Sequence, residues 1–125
     1  MPLRPDPMLK HLALLAYSAQ LLLGGWQQAS QPSPRAERAR GIGWPVQDEL
    51  VRFSGWAMIV GALALHVPRL QRLAALLLAI QLLPITYVGH RFWEEEGAAQ
   101  GQHKIHFFKN LSIVGGALYI ALADN

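Results

Sequence analysis

The chain has 125 residues, a length suited to one domain, and 52% of them are hydrophobic while only 15% are charged. Its net charge of +3 comes from 11 basic residues scattered among predicted loops and helix ends, which argues against a nucleic-acid-binding surface. The absence of cysteine excludes disulfides, dithiol relays and thiolate ligands for zinc or iron–sulfur clusters.

Apolar residues are gathered into four runs, each near the length needed to cross about 30 Å of hydrocarbon. We predict helices over residues 8–29, 49–67, 70–89 and 105–123. The pattern predicts an all-α fold, an integral membrane four-helix bundle in a single domain spanning residues 1–125. Two longer loops, between helices one and two and between helices three and four, are expected on one side. A soluble all-α bundle is the alternative, but four such runs are hard to bury in a domain of this size.

The first run follows two basic residues, Arg4 and Lys10, so a cleaved signal peptide is the alternative to a first spanning helix. Gln27 lies where a cleavage site needs a small residue, and the apolar run is long for a signal sequence, so we favour the helix. The segment from Ser30 to Val46 is rich in Ser, Pro, Gly and Arg, and we predict that it is a loop outside the membrane.

The second and third helices are joined by a short connection, which predicts antiparallel neighbours. Asp48 is the predicted N-cap of the second helix, and Ala57 and Gly61 form a small-residue pair that allows another helix to approach closely. Pro84 removes one backbone hydrogen bond from the third helix and predicts a kink. The polar residues deep in the helices that would suit a solute pathway are few: Gln20, Gln81 and Thr86.

Polar residues concentrate in the first half of the fourth helix, where a charged side chain is costly unless it faces the bundle interior or the headgroup boundary. Lys109 and Asn110 follow His106 by about one helical turn, which makes one face polar. One interpretation is that Lys109 reaches the interface and pairs with a glutamate of residues 94–96. The other is that Lys109 and Asn110 bind an anionic or carbonyl-bearing ligand, such as a quinone head or a lipid phosphate.

The loop after the third helix carries a second group of polar and aromatic residues. Because a short loop makes helices three and four antiparallel neighbours, we expect this group to join the polar face of helix four in one cap. No catalytic residue can be assigned. The candidate ligand-binding residues are Lys109, Asn110, His106, His90, Trp93 and Glu94.

Histidines near this cap are the one cluster with metal-ligand chemistry. His90, His103 and His106 lie near the glutamates of residues 94–96, but no fixed ligand spacing accompanies them. We therefore predict no metal site and interpret these histidines as solvated loop residues.

Two motifs resemble signatures of the DoxX family. Residues 82–93 (Leu-Leu-Pro-Ile-Thr-Tyr-Val-Gly-His-Arg-Phe-Trp) are similar to the end of the family's third helix, where Leu-Pro-x-Thr leads to His-x-Phe-Trp. Residues 106–111 (His-Phe-Phe-Lys-Asn-Leu), followed by Gly115 and Gly116, are similar to its helix-four signature. Helix one resembles the family's first helix only in its general apolar character. Met58 stands where many relatives carry a carboxylate midway along helix two.

The resemblance implies a multi-pass protein of the bacterial inner membrane, embedded in the lipid bilayer with both termini in the cytoplasm, although the distribution of Lys and Arg leans towards the opposite orientation. It implies a subunit or partner of a redox or oxidative-stress system, with a membrane or periplasmic redox protein as partner and a quinone as the candidate cofactor. Without cysteine, we expect no intrinsic redox centre and no catalysis by the chain alone. A homo-oligomer is a further candidate assembly. The alternatives are a non-enzymatic bundle that organises lipids or proteins, and a small-solute transporter.

Overall fold

All regular secondary structure in the described part of the chain is helical. In a computed structural model, residues 6–123 are described, and within this range there are five α-helices and no strand. The helices are α1 (Pro7–Ser30), α2 (Ser33–Gly41), α3 (Asp48–Ala64), α4 (Gln71–Gly89) and α5 (Gly97–Leu122), with a 3₁₀ turn at Phe92–Glu94 between the last two. Arg4, which entered the signal-peptide alternative, lies outside the described residues.

The four long helices, α1, α3, α4 and α5, share one apolar core and alternate in direction. Neighbours pack in the order α1, α3, α4, α5, and the Tyr17 hydroxyl of α1 donates to the carbonyl oxygen of Ile113 on α5, which closes the ring. Each long helix contributes buried side chains to the centre: Leu21, Met58, Ala62, Ala75, Leu78, Leu82, Val114 and Ala117. Burial of these side chains stabilises the arrangement by close packing.

Helices α1 and α3 approach most closely at a pair of glycines. A Cβ added to Gly55 would lie 2.5 Å from the backbone nitrogen of Ala29 and 2.6 Å from the carbonyl oxygen of Gly25. Only glycine fits at such a backbone contact. The predicted small residue Gly61 also faces a neighbouring helix, since its added Cβ would lie 3.0 Å from the Leu78 side chain on α4.

Two segments that we predicted to be loops contain helix. Residues 33–41 form α2 because Pro34 is tolerated in a first turn, and the residues that follow, Ala36 to Arg40, are mostly strong helix formers. Helix α5 begins at Gly97 instead of 105, since the polar stretch 98–102 is rich in Ala and Gln, which also favour helix. Gly97 has φ of +63°, a left-handed conformation that lets the chain turn from the 3₁₀ segment into α5. The apolar pattern predicted the part of α5 from residue 105 onward but missed its polar N-terminal extension, residues 97–104.

Two smaller expectations also change. Asp48 is the first residue of α3 and Gln47 is its N-cap, so Asp48 is not the cap residue that we predicted. Helix α3 ends at Ala64, three residues before the predicted boundary at 67. Helix α4 continues through Pro84 to Gly89, within one residue of the predicted bounds.

Large apolar side chains cover the outside of the long helices. The stretches Gln71–Glu94 and Gly97–Leu122 are long and apolar enough to cross a membrane by length and composition. In their most apolar windows only 33% and 17% of the residues are buried within the protein, so most apolar residues face outward, unlike those of a core helix in a soluble domain. The outer surface thus indicates a membrane protein. Further exposed examples on α1 and α3 are Leu12, Leu15, Leu23, Phe53 and Val60.

The contact between α1 and α3 predicts that Gly55→Ala lowers the melting temperature of the purified protein, because the new methyl group collides with backbone atoms of α1. Overpacking of this kind costs about 1–3 kcal/mol. Gly115→Ala is the matched control, since nothing lies within 4 Å of its added Cβ, and alanine favours helix more than glycine does. Equal melting temperatures for the two variants in thermal unfolding would contradict the described packing.

Candidate functional site

A cavity of about 660 Å³ lies at one end of the molecule, where α1 and α4 end and α3 and α5 begin. Helix α2 covers it, and all five helices contribute to its wall. Its volume is within the range of small-molecule sites. Apolar side chains such as Leu21, Met58 and Leu82 form the inner part of the wall, and the polar lining residues are Gln20, Gln27, Gln28, Arg35, Arg38, Ser54, His90, His106, Lys109 and Asn110.

Two side-chain amides in this wall are buried. Gln28 on α1 is 3% exposed and Asn110 on α5 is 7% exposed. Both residues line the cavity, and neither side-chain amide forms a hydrogen bond to another residue within 6–123. Their polar atoms are not fully enclosed, since within residues 6–123 the one fully buried side-chain nitrogen or oxygen without a partner is Nη1 of Arg91. The two amides therefore reach the cavity, where water or a ligand can bind them. The cavity therefore offers two amides that are free to bind its contents.

Three basic side chains give the cavity a positive character. Arg35 and Arg38 come from α2 and Lys109 from α5, while no Asp or Glu lines the wall. Within the described residues none of the three pairs with a carboxylate. Instead, Arg38 donates to the carbonyl oxygen of Gly89, and an Arg35 nitrogen lies 3.5 Å from the Gln27 side-chain oxygen.

The positive charges of α2 lie near each other. Burial lowers the pKa of Arg35 from its ordinary value, and the neighbouring charge of Arg38 lowers this pKa further. Because an arginine keeps its proton at neutral pH, both guanidinium groups remain charged. An anion or a strong hydrogen-bond acceptor in the cavity would relieve this repulsion.

Histidines join α4 to α5 beside the cavity. The His90 ring centroid lies 5.2 Å from that of His106 and 5.5 Å from that of His103, and the Nδ1 atoms of His90 and His103 are 3.3 Å apart. That hydrogen bond requires one ring to donate and the other to accept. The Lys109 Nζ lies 3.3 Å from Nδ1 of His106, so an ammonium donor there leaves the proton of a neutral His106 on Nε2. Within residues 6–123, no His, Asp and Glu side chains are grouped suitably to hold a metal.

The aromatic rim next to the cavity is built around Arg91. Its guanidinium makes two hydrogen bonds to Glu94, at 2.9 and 2.7 Å, and lies 4.5 Å from the Tyr87 ring centroid and 5.1 Å from that of Trp93. The Tyr87 ring in turn stacks on Trp44, with 5.9 Å between centroids, and Trp44 lines the cavity. Trp93 is therefore part of this rim and Glu94 holds its Arg91, while neither residue lines the cavity.

The six sequence-predicted residues therefore separate into two groups. Lys109, Asn110, His106 and His90 line the cavity, whereas Trp93 and Glu94 do not. Within the described residues, the alternative ion pair between Lys109 and a glutamate of residues 94–96 is not formed: Glu94 binds Arg91, and Lys109 contacts His106.

Gln28, Arg35 and Arg38 are among the lining residues that sequence reasoning missed. Arg35 and Arg38 are three residues apart, which places them on one face of a helix, but that signal is visible only once α2 is recognised as helical. Gln28 ends a predominantly apolar run, and a polar residue within a spanning segment is itself a functional signal.

The three residues considered for a solute pathway have different surroundings. Gln20 lines the cavity. The Gln81 amide donates to the carbonyl oxygen and the hydroxyl of Ser54, at 2.6 and 2.8 Å, and the Thr86 hydroxyl donates to the carbonyl oxygen of Leu82 at 2.6 Å. Two of the three are therefore occupied by hydrogen bonds: those of Gln81 join α4 to α3, and that of Thr86 lies within α4.

Helix α2 is fastened over the cavity by Asp48 at the start of α3. The Ser33 hydroxyl donates to one carboxylate oxygen of Asp48 at 2.6 Å, and the Arg40 guanidinium lies 3.4 Å from the other. The Ser33 hydrogen bond is the main cause of a lowered pKa for Asp48, and Arg40 adds to it. Ala36 and Ala39 on the inner face of α2 are buried, which seals the cover.

This attachment predicts that Asp48→Asn loosens α2. A carboxyl group with a lowered pKa stabilises the folded form above its ordinary pKa, and the stabilisation is lost as the pH falls through the lowered value. The amide variant lacks the charge at every pH. We therefore expect faster hydrogen exchange at the backbone amides of residues 35–41 in Asp48→Asn than in wild type at neutral pH.

Glu37→Gln is the control, because Glu37 is exposed on the same helix and is not part of the attachment. Equal protection of α2 in wild type and Asp48→Asn at neutral pH would show that the carboxylate does not fasten it.

Comparison with known proteins yields one family. The family model described as DoxX matches residues 10–91, which cover most of α1 and all of α2, α3 and α4. No curated protein and no solved structure matches the chain. Lys109 and Asn110 lie beyond the matched range, in α5.

Proposed function

Because the chain belongs to the DoxX family, we propose that it is a multi-pass protein of the bacterial inner membrane whose four long helices form a transmembrane bundle. The length and apolar composition of α4 and α5 support this topology. Helix α1, with 24 residues, is about 36 Å long at about 1.5 Å per residue, which exceeds a hydrocarbon core. Helix α3 has 17 residues, so the proposed topology needs the turn that follows it to complete its crossing.

The proposed function of the bundle is to bind the head of a membrane-soluble quinone in the cavity under α2, as a partner of a redox system. The observation that carries the proposal is the pair of buried amides without protein partners, Gln28 and Asn110, beside the ammonium of Lys109. A quinone ring offers carbonyl oxygens that accept hydrogen bonds, and this wall is rich in donors. The apolar inner wall suits the ring itself.

Each lining residue has a distinct part in this proposal. Lys109 donates a charge-assisted hydrogen bond to one carbonyl oxygen. The Asn110 and Gln28 amides can donate and accept together, so they suit a carbonyl as well as a hydroxyl on the same ring. His90 and His106 carry exchangeable ring protons at the cavity wall. The chain has no thiol of its own, so electrons come from a partner protein.

Unpaired positive charge favours a second candidate function, the binding of an anionic lipid by a non-enzymatic bundle. Arg35, Arg38 and Lys109 line the cavity without a carboxylate among the lining residues, and a lipid phosphate would neutralise them. The two candidate functions differ in the molecule that should co-purify with the protein, a quinone for the first and a phospholipid for the second. Solvent extraction of the purified chain, followed by mass spectrometry, distinguishes a quinone from a phospholipid.

The proposal predicts that Lys109→Met loses bound quinone while the bundle stays folded and inserted. Loss of a charge-assisted hydrogen bond of about 1.5–3 kcal/mol weakens binding by roughly ten- to 150-fold. Removal of the charge costs insertion little, because a lysine in a spanning segment is itself unfavourable. The measurement is quinone retained per chain, with membrane yield and melting temperature as the checks on folding.

Lys104→Met is the matched control, since Lys104 lies on the same helix but does not line the cavity. It should retain quinone as wild type does, and Lys109→Arg should retain more than Lys109→Met. Wild-type protein that leaves the membrane without quinone, or Lys109→Met that binds it as wild type does, contradicts the proposal. A phospholipid retained in its place supports the second candidate.

A further inference from the structure

A second space of about 630 Å³ lies between α3 and α4 and opens on the outer surface. It forms a groove because small residues on α3 leave room beside larger side chains of both helices. Its walls are apolar except for Gln81 at one end. The residues that shape it include Ala57, Gly61, Ala64, Leu73 and Leu77.

This groove adjoins the ligand cavity. Gln81 lines the groove and Ser54 lines the cavity, and the hydrogen bonds between them, at 2.6 and 2.8 Å, form the boundary. On α4 the groove residues end at Gln81 and the cavity residues begin at Leu82. On α3 the two sets overlap along residues 53–58 but occupy adjacent faces. One pair of side chains therefore separates a polar site from an apolar channel that runs deeper along the bundle.

We propose that the groove binds the isoprenoid side chain of the quinone whose ring occupies the cavity. This inference rests on the proposed function. The groove follows α3 from Phe53 to Ala64, a rise of about 16 Å at about 1.5 Å per residue, so it can hold an extended hydrocarbon chain of several isoprene units. To enter the groove, the proposed side chain must pass between α3 and α4 at the boundary that the Gln81 and Ser54 hydrogen bonds form.

The groove favours the isoprenoid side chain of a bound quinone over a free lipid chain, because that side chain is attached to a ring that is already bound. Lipid tails are as apolar as the groove, so transfer from bilayer to groove gains only close packing and no hydrophobic free energy. A side chain already attached to a bound ring reaches the groove in an intramolecular step, at a high effective concentration. A free acyl chain has no such advantage. The ligand class is therefore a quinone with a long side chain, and the groove contributes to selection by length.

The test uses a benzoquinone with an isoprenoid-like side chain that ends in a diazirine, added to the full chain in lipid nanodiscs. After irradiation, mass spectrometry maps the adducts. We expect adducts that an excess of unlabelled long-chain quinone removes, concentrated on the groove-facing residues of 53–64 and 70–81. Ala57→Phe fills the groove and should lower these adducts severalfold, whereas Leu15→Phe, on the exposed face of α1, should not.

The two proposals fail in different ways. Adducts that unlabelled quinone removes, but that spread equally over the outer faces of α1 and α5, would overturn the groove and leave the cavity as the ring site. Adducts that unlabelled quinone does not remove, and that Lys109→Met leaves unchanged, would overturn the ring site and the groove together. The wild-type map decides between these results even if Ala57→Phe folds poorly.

Discussion

Gln28 and Asn110 are buried residues whose side-chain amides line the cavity under α2. Within the described residues no protein group binds these amides, whereas another buried polar side chain of α1, Ser18, binds the Leu14 carbonyl and His66. The contents of the cavity, water or a ligand, can therefore bind the two amides. This arrangement links the fold to the proposed ligand, because the elements that bury the two residues also enclose the space beside them.

Helix α2 gives this space its chemical character. Without it the cavity would be an open recess between helix ends, lined by two amides, two histidines and Lys109. The cover adds Arg35 and Arg38, and Asp48 holds it in place through Ser33 and Arg40. Asp48, the one acidic group in this attachment, binds Ser33 and Arg40 and does not line the cavity, so the cavity side of α2 stays positive. The same end of the molecule carries the aromatic rim of Trp44, Tyr87 and Trp93, whose amphipathic rings suit a headgroup boundary.

Hydropathy and motif spacing predicted the all-helical fold, the bounds of α1 and α4 to within about a residue, and the DoxX family. The same reasoning identified four cavity residues, because Lys109, Asn110, His106 and His90 are polar groups at or near a spanning segment, where polarity is expensive. It missed α2, since the Pro, Gly and Ser residues at its ends obscured the helix formers between them. The other two candidates, Trp93 and Glu94, contact Arg91 and do not line the cavity, a difference in side-chain direction that proximity along the chain does not reveal. The groove depends on packing between α3 and α4, which no local pattern encodes.

Native mass spectrometry of the chain, released from membranes in a mild detergent, measures the occupancy of the cavity most directly. The account predicts one bound quinone per chain in wild type and none in a double variant, Gln28→Leu with Asn110→Leu, that remains folded because apolar groups replace unpartnered amides. Wild-type protein that carries no bound small molecule, with the double variant equally folded, would contradict the account, because the two amides would then be satisfied by water alone.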